Sequence, residues 1–158
     1  MSGVFELSKP VDLLAKLERE LERLRAEPDN VDHAFNLFIT AEHILDWLYP
    51  GDAERKNRET LRNSDTLLQV VSHLANGAKH FDKLKSHHQS VKSTSRKGGY
   101  FASRYFPRGW FGRGYFSEPK LVVSLDGSAE RKYGSSITAL ALAEEVCKFW
   151  STPGRVPT

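Results

Sequence analysis

Cysteine is nearly missing from this sequence, since its 158 residues include a single one, Cys147. One thiol cannot form a disulfide within the chain and supplies too few sulfur ligands for a cysteine-based zinc site. Because Cys147 falls within an apolar helical pattern, we expect a buried thiol rather than a reactive nucleophile.

Long apolar runs are missing as well. No stretch approaches the roughly 18 apolar residues of a membrane span, and the first ten residues, MSGVFELSKP, lack the apolar centre of a signal peptide. Both absences predict a cytoplasmic protein with no membrane partner.

A strong excess of charge is also lacking. The net charge of +3 and the isoelectric point near 9.0 permit an acidic or nucleic-acid partner without requiring one. The hydrophobic content of 39% is typical of a globular protein, and the length suits one domain over residues 1–158.

Helical periodicity is what the sequence does contain. Apolar residues recur at helical spacing in four segments, at about 11–27, 31–49, 65–84 and 136–150. The second segment should be the central helix, and its predicted buried arc consists of Val31, Ala34, Phe35, Phe38, Ala41, Leu45 and Leu48. We interpret residues 52–58 as a charged loop.

The region between the third and fourth helices is different in character. Residues 86–99, SHHQSVKSTSRKGG, contain one apolar side chain and predict a mobile loop. An insertion over 100–125 follows, and it ends in a strand candidate, Lys120–Leu125. The predicted fold is therefore mainly α: a four-helix bundle with a short β-containing insertion, rich in aromatic residues, Gly and Arg, between helices 3 and 4.

The insertion contains an aromatic repeat. Eight of the seventeen aromatic residues lie within positions 100–116, in pairs with a period of five. Three interpretations stay open: a segment packed over the bundle by its own rings, a surface for protein contact or self-association, and a surface for single-stranded nucleic acid. The candidate binding residues are Arg104, Tyr105, Phe106, Arg108, Trp110, Phe111, Arg113 and Tyr115, aided by Lys92, Arg96 and Lys97.

Histidines form two stripes opposite the apolar arcs of their helices. His33 and His43 share a face of the second helix, and His73 and His80 share a face of the third. We expect solvated or loop-covered side chains; a polar contact surface and a four-histidine metal site are the alternatives. The sequence lacks HExxH or a comparable ligand spacing, so we expect no metal and no cofactor.

Glu42 projects from the middle of the predicted buried arc. A buried carboxylate needs a cation or hydrogen-bond donors, and Lys79 is the candidate partner. The alternative is a polar pocket in which Glu42, Asp46 and Lys79 face a ligand. If the protein is an enzyme, the catalytic candidates are Glu42, Asp46, His73, Lys79 and His80.

Two motifs carry a resemblance. Residues 41–47, AEHILDW, and residues 75–81, ANGAKHF, resemble the AxHxxDW and ANGxKHF motifs of a group of small bacterial proteins of no established activity. The arrangement of helices also loosely resembles HEPN domains, which are often RNases of bacterial defence and toxin–antitoxin systems. Their catalytic pattern, an Arg and a His separated by four to six residues on one helix, does not occur here, so the resemblance implies a non-catalytic member.

The sequence thus predicts a non-catalytic binding protein rather than an enzyme. Its expected partner is another protein or a second copy of the chain, contacted through the aromatic-Arg insertion. The alternative is RNA binding, or a HEPN-like RNA-processing enzyme of a defence or toxin–antitoxin system.

Overall fold

Helices account for most of the described chain. The computed structural model describes residues 7–79, 90–98 and 119–157. Within these ranges there are six α-helices, and a 3₁₀ turn, Asp52–Glu54, precedes the third. The helices are α1 (Pro10–Ala26), α2 (Val31–Leu48), α3 (Arg55–Ser64), α4 (Thr66–Lys79), α5 (Gly127–Tyr133) and α6 (Ala139–Trp150).

Side-chain caps fix where two of the main helices begin. Asn30 precedes α2, and its Oδ1 accepts hydrogen bonds from the backbone N–H groups of Asp32 and His33 at 3.0 and 3.3 Å. Thr138 precedes α6, and its Oγ1 accepts from the N–H of Ala141 at 3.2 Å. These bonds satisfy donors that a helix start otherwise leaves unpaired.

The core is built around α2, which packs against α1, α4 and α6. This confirms the prediction that the second helix is central. Each of α1, α2, α4 and α6 contributes side chains with 1% exposure or less; they include Leu17, Leu24, Leu37, Ile44, Val70, Val71, Leu142 and Trp150.

The predicted buried arc of α2 is partly wrong. Val31 and Phe35 were expected inside, yet they are 55% and 43% exposed, whereas Leu37 and Ile44 lie outside that arc and are fully buried. The physical reason is that three helices surround α2, so its buried surface extends around more than one arc. Near its start α2 instead borders a cleft.

Buried polar groups connect α1 to α2. Glu20 is 3% exposed and accepts hydrogen bonds from Lys16 Nζ and Arg23 Nη1, both at 3.0 Å. Lys16 Nζ also donates to Thr40 Oγ1 at 2.8 Å. Thr40 is therefore buried at 4% exposure because α1 covers it and supplies its donor.

A small antiparallel sheet joins the helices. Its strands are β1 (Val91–Lys97), β2 (Lys120–Leu125) and β3 (Ser136–Thr138), in the order β1-β2-β3. Strands β1 and β2 form a hairpin whose register runs from Val91 opposite Leu125 to Lys97 opposite Lys120. Val91 and Leu125 are buried and attach the sheet to the core.

Several predicted boundaries are corrected by these elements. The loop predicted at 86–99 contains β1, because main-chain pairing with β2 orders residues whose side chains are mostly exposed. The helix predicted from residue 136 begins at Ala139, since residues 136–138 pair with β2 as β3. The helices α3 and α5 were not predicted, so the count of four helices is wrong. The predicted third helix is confirmed as α4 up to Lys79, and its remainder lies outside the described residues.

Among the described residues, no helix has the length and apolar character needed to cross a bilayer.

Two substitutions in α2 test the corrected burial. Leu37→Ala should lower the free energy of unfolding by about 2–5 kcal/mol, because it leaves a cavity among three helices. Val31→Ala, at an exposed position of the same helix, should change it by no more than about 0.5 kcal/mol. Urea unfolding followed by circular dichroism measures both, and a larger loss for Val31→Ala would contradict the packing described.

Candidate functional site

A cleft opens between α2, α4 and the β1–β2 hairpin. Its volume is about 420 Å³. The walls are mainly apolar and come from segments distant in sequence; they include Val31, Phe35 and Phe38 of α2, Leu74 of α4, and Leu121 and Val123 of β2. Val31 and Phe35 are the large hydrophobic side chains exposed within the described ranges, and both border this hairpin cleft.

Polar residues of β1 complete the cleft. Thr94, Ser95 and Arg96 line it on the hairpin side. Arg96 Nη2 donates a hydrogen bond to the backbone carbonyl of Asp29 at 2.8 Å, which ties the hairpin to the turn between α1 and α2. The cleft is therefore an apolar concavity with one guanidinium at its edge.

The hairpin exposes basic side chains that form no ion pair with any described acidic residue. Lys92, Arg96, Lys97 and Lys120 are exposed, and none of the ion pairs found among the described residues includes them. Lys97 also lies directly opposite Lys120 in the strand register. Like charges in directly opposite positions of a sheet repel each other. Within the described part of the chain, this end of the hairpin therefore has positive charge that no ion pair neutralises.

The segment that contains the predicted binding residues is attached to this end of the hairpin. Arg104, Tyr105, Phe106, Arg108, Trp110, Phe111, Arg113 and Tyr115 lie outside the described residues. The described chain reaches Gly98 and resumes at Pro119, next to the paired residues Lys97 and Lys120. Both attachment points of residues 99–118 are therefore side by side at the end of the hairpin.

Glu42 lies on the side of α2 that faces away from α1, and it belongs to a polar cluster there. Its Oε1 accepts hydrogen bonds from Arg62 Nη2 at 2.7 Å and Nε at 3.2 Å, and from Ser72 Oγ at 3.1 Å. Glu42 is 7% exposed, and Asn76 extends the cluster by donating to Ser72 at 3.3 Å. The need for a cation was predicted correctly, but the cation in the structure is Arg62 of α3; the side chain of Lys79 lies outside the described part.

Asp46 and its neighbours hold the end of α2. Arg58 Nε lies 3.5 Å from Asp46 Oδ1, and the same guanidinium donates to the backbone carbonyls of Tyr49 and Gly51, the latter at 2.7 Å. A cation at this position donates hydrogen bonds to carbonyls near the C-terminal end of the helix. It also interacts favourably with the negative end of the helix dipole. Glu42 and Asp46, one turn apart on α2, are thus each paired with an arginine of α3. The two arginines are also one turn apart, so the two ion pairs lie side by side.

The histidines do not converge on one site within the described residues. His73 is buried at 9% exposure, and its Nδ1 lies 3.3 Å from both the N–H of Val91 and the hydroxyl of Ser90. His73 is therefore covered by the residues before β1, which agrees with the expectation of a solvated or loop-covered side chain. His33 is half-buried, with Nε2 at 3.6 Å from Glu27 Oε2. His43 is also half-buried, and His80 lies outside the described chain.

Metal ligands do not cluster in the described chain. No group of three His, Cys, Asp or Glu side chains there is arranged to hold a metal ion. Cys147 is buried as predicted, and burial raises the pKa of its thiol to about 12. The thiol is protonated at neutral pH and is therefore a weak nucleophile.

The roles of Arg58, Arg62 and Ser72 as partners of the α2 carboxylates were not predicted from the sequence. The two arginines lie four residues apart and so share a helix face, which is a signal that the sequence does contain. It was overlooked because residues 52–58 were interpreted as a loop. Ser72 has no comparable signal, since its role depends on how α4 packs beside α2.

The comparisons with known proteins add no relatives: the chain matches no protein-family model, no curated protein and no solved structure.

Removing Arg62 should be costly. Arg62→Met leaves the Glu42 carboxylate buried without its cation, so we expect the free energy of unfolding to fall by about 3–5 kcal/mol. The double variant Glu42→Leu, Arg62→Met should recover much of that loss, because no charge is then left unpaired. Urea unfolding of the single and double variants measures both effects.

Arg55 supplies the matched control for this experiment. It belongs to the same helix and pairs with Glu59 at 2.8 Å, but both side chains are exposed. Arg55→Met should leave stability nearly unchanged. Equal effects of Arg55→Met and Arg62→Met would show that burial does not make the Glu42 pair special.

Proposed function

We propose that this protein is a non-catalytic binding protein that contacts a protein partner through the aromatic-Arg insertion and the hairpin that carries it. A second copy of the chain is the first partner to test. The proposal rests mainly on one observation: the pairing of Lys97 with Lys120 fixes both ends of residues 99–118 at one end of the hairpin.

The residue types of the insertion support a contact role. Tyr, Trp, Phe and Arg are enriched among the residues that contribute most to protein interfaces. The insertion concentrates these four types, and the hairpin cleft adds the exposed Val31 and Phe35 beside its attachment points. Neighbouring exposed apolar groups of this kind mark interaction surfaces.

Charge supports a second copy as the partner. Residues 83–117 contain eight Lys or Arg and no Asp or Glu. Because the whole chain has a net charge of +3, its remaining residues are net acidic. The basic segment of one copy can therefore be attracted to the net acidic remainder of another copy.

The candidates for catalysis are engaged elsewhere. Glu42 and Asp46 are paired with arginines of α3, and His73 bonds the start of β1. These contacts hold elements of the fold together, which favours a binding role over acid–base chemistry at these positions. His80 and the Lys79 side chain lie outside the described residues.

The variant Arg108→Ala, Trp110→Ala tests self-association. We expect the wild-type chain to have the mass of a dimer by light scattering after size exclusion, and the double variant to have the mass of a monomer. Circular dichroism should show the same helix content and melting transition for both. The reason is that truncating two interface anchors removes contact energy without touching the helical core.

Two results would count against this proposal. A wild-type monomer at all concentrations tested would exclude the second copy as partner. Loss of folding in the double variant would show that these side chains pack on the body of the protein instead.

Single-stranded RNA is the second candidate partner. It is favoured by the unneutralised Lys97 and Lys120 beside an insertion in which aromatic residues alternate with arginines. Aromatic faces stack on unpaired bases, and cations contact the phosphates of the backbone.

A salt titration tests whether the protein binds single-stranded RNA through its basic residues. Binding of a labelled oligouridylate, followed by fluorescence anisotropy, should weaken as salt rises, and Lys97→Ala with Lys120→Ala should reduce the slope of log K against log salt by about one to two. Lys56→Ala with Lys148→Ala, both exposed lysines on helices, removes the same charge elsewhere and serves as the control. Equal slopes for the two double variants, or no binding to RNA, would contradict the candidate.

A further inference from the structure

We propose that the hairpin cleft is a binding site for a small amphipathic carboxylate, with the apolar part of the ligand between α2 and the hairpin and its carboxylate against Arg96. This inference goes beyond the proposed contact role of the insertion and does not depend on it. It concerns only residues of the described chain.

The size and the walls of the cleft fit such a ligand. Sites for small molecules are concave, mostly apolar and about 300–1,000 Å³ in volume, and this cleft measures about 420 Å³. Phe38, Leu74 and Val123 line it together with the exposed Phe35. A medium-length alkyl chain or an aromatic ring would cover these apolar atoms and remove them from water.

Arg96 supplies the preference for a carboxylate. One of its nitrogens donates to the Asp29 carbonyl, which positions the guanidinium at the edge of the cleft. A guanidinium has five N–H donors in a planar fork that matches a carboxylate. Asp29 contributes a main-chain oxygen to this contact, and no acidic side chain among the described residues lines the cleft, so none of them cancels the charge of Arg96 there.

The same arrangement disfavours a polyanion inside the cleft. Among the described residues the walls offer no second cation, and Thr94 and Ser95 are the other polar residues that line it. A ligand with one anionic group and an apolar body therefore matches the cleft better than a nucleic-acid backbone, whose phosphates would meet apolar walls.

Decanoate, used below its micelle concentration, is a suitable probe for the full chain. We expect its titration to shift the ¹H–¹⁵N NMR signals of residues along the start of α2 and along β1, with saturation. Arg96→Gln should weaken the binding by about tenfold, corresponding to about 1.4 kcal/mol, because it removes a charge-assisted hydrogen bond.

Lys97→Gln is the matched control. It removes the same charge from the neighbouring position of β1, whose side chain points to the opposite face of the sheet. We expect it to leave decanoate binding within about twofold of wild type, since a surface charge outside the cleft adds little. Equal effects of Arg96→Gln and Lys97→Gln would overturn the assignment of the carboxylate to Arg96.

A second pair of variants tests the cleft itself. Thr94→Trp places a large ring in the cleft and should abolish binding, whereas Ser93→Trp places the same ring on the other face of β1 and should not. Melting curves confirm that each variant is folded. Binding that survives Thr94→Trp would overturn the location.

Decanol, which has the same chain without the charge, provides the last comparison. It should bind wild type more weakly than decanoate and should be insensitive to Arg96→Gln. Failure of decanoate to bind, or equal affinity for decanol, would overturn the proposal. Neither result would affect the role proposed for the insertion, which is measured by mass and RNA binding.

Discussion

The carboxylate of Glu42 constrains where α3 and α4 lie beside α2. A charge in the middle of the most buried helix costs free energy unless a cation and hydrogen-bond donors come to it. Arg62 brings the cation from α3, and Ser72 brings a hydroxyl from α4. Both helices must therefore lie where their side chains reach Glu42, and α4 in turn positions His73 beneath the start of β1. The sheet and the cleft depend on this placement.

The apolar helices were largely predictable from sequence, because α1, α2, α4 and α6 each show helical periodicity and begin near recognisable breaks such as Pro28 and Asn30. The helix α3 was not, since its sequence, RKNRETLRNS, has one apolar residue and is held by charges. Its arginines find their partners only through tertiary structure. Glu42's requirement for a cation followed from the sequence, whereas the identity of that cation depended on a helix that apolar periodicity does not reveal.

Strand β1 and the cleft illustrate a second limit. Most of β1 is Ser, Thr, Lys and Arg, and its order comes from main-chain pairing with residues about 30 positions away. A pattern of side chains contains little of that information. The cleft combines α2, α4 and both hairpin strands, so none of these segments predicts it alone. The candidate residues of the insertion were identified by sequence and remain predictions.

The position of α6 has a consequence for how the protein folds during synthesis. Leu142, Val146 and Trp150 of α6 fill part of the core that α1 and α2 share, yet α6 begins about 90 residues after the end of α2. Until α6 is made, the apolar surface of α1 and α2 that it covers lacks this native contact. Contacts of such long sequence separation form slowly and leave intermediates prone to aggregation. Folding therefore has to keep the facing surfaces of α1 and α2 from aggregating until α6 has been made.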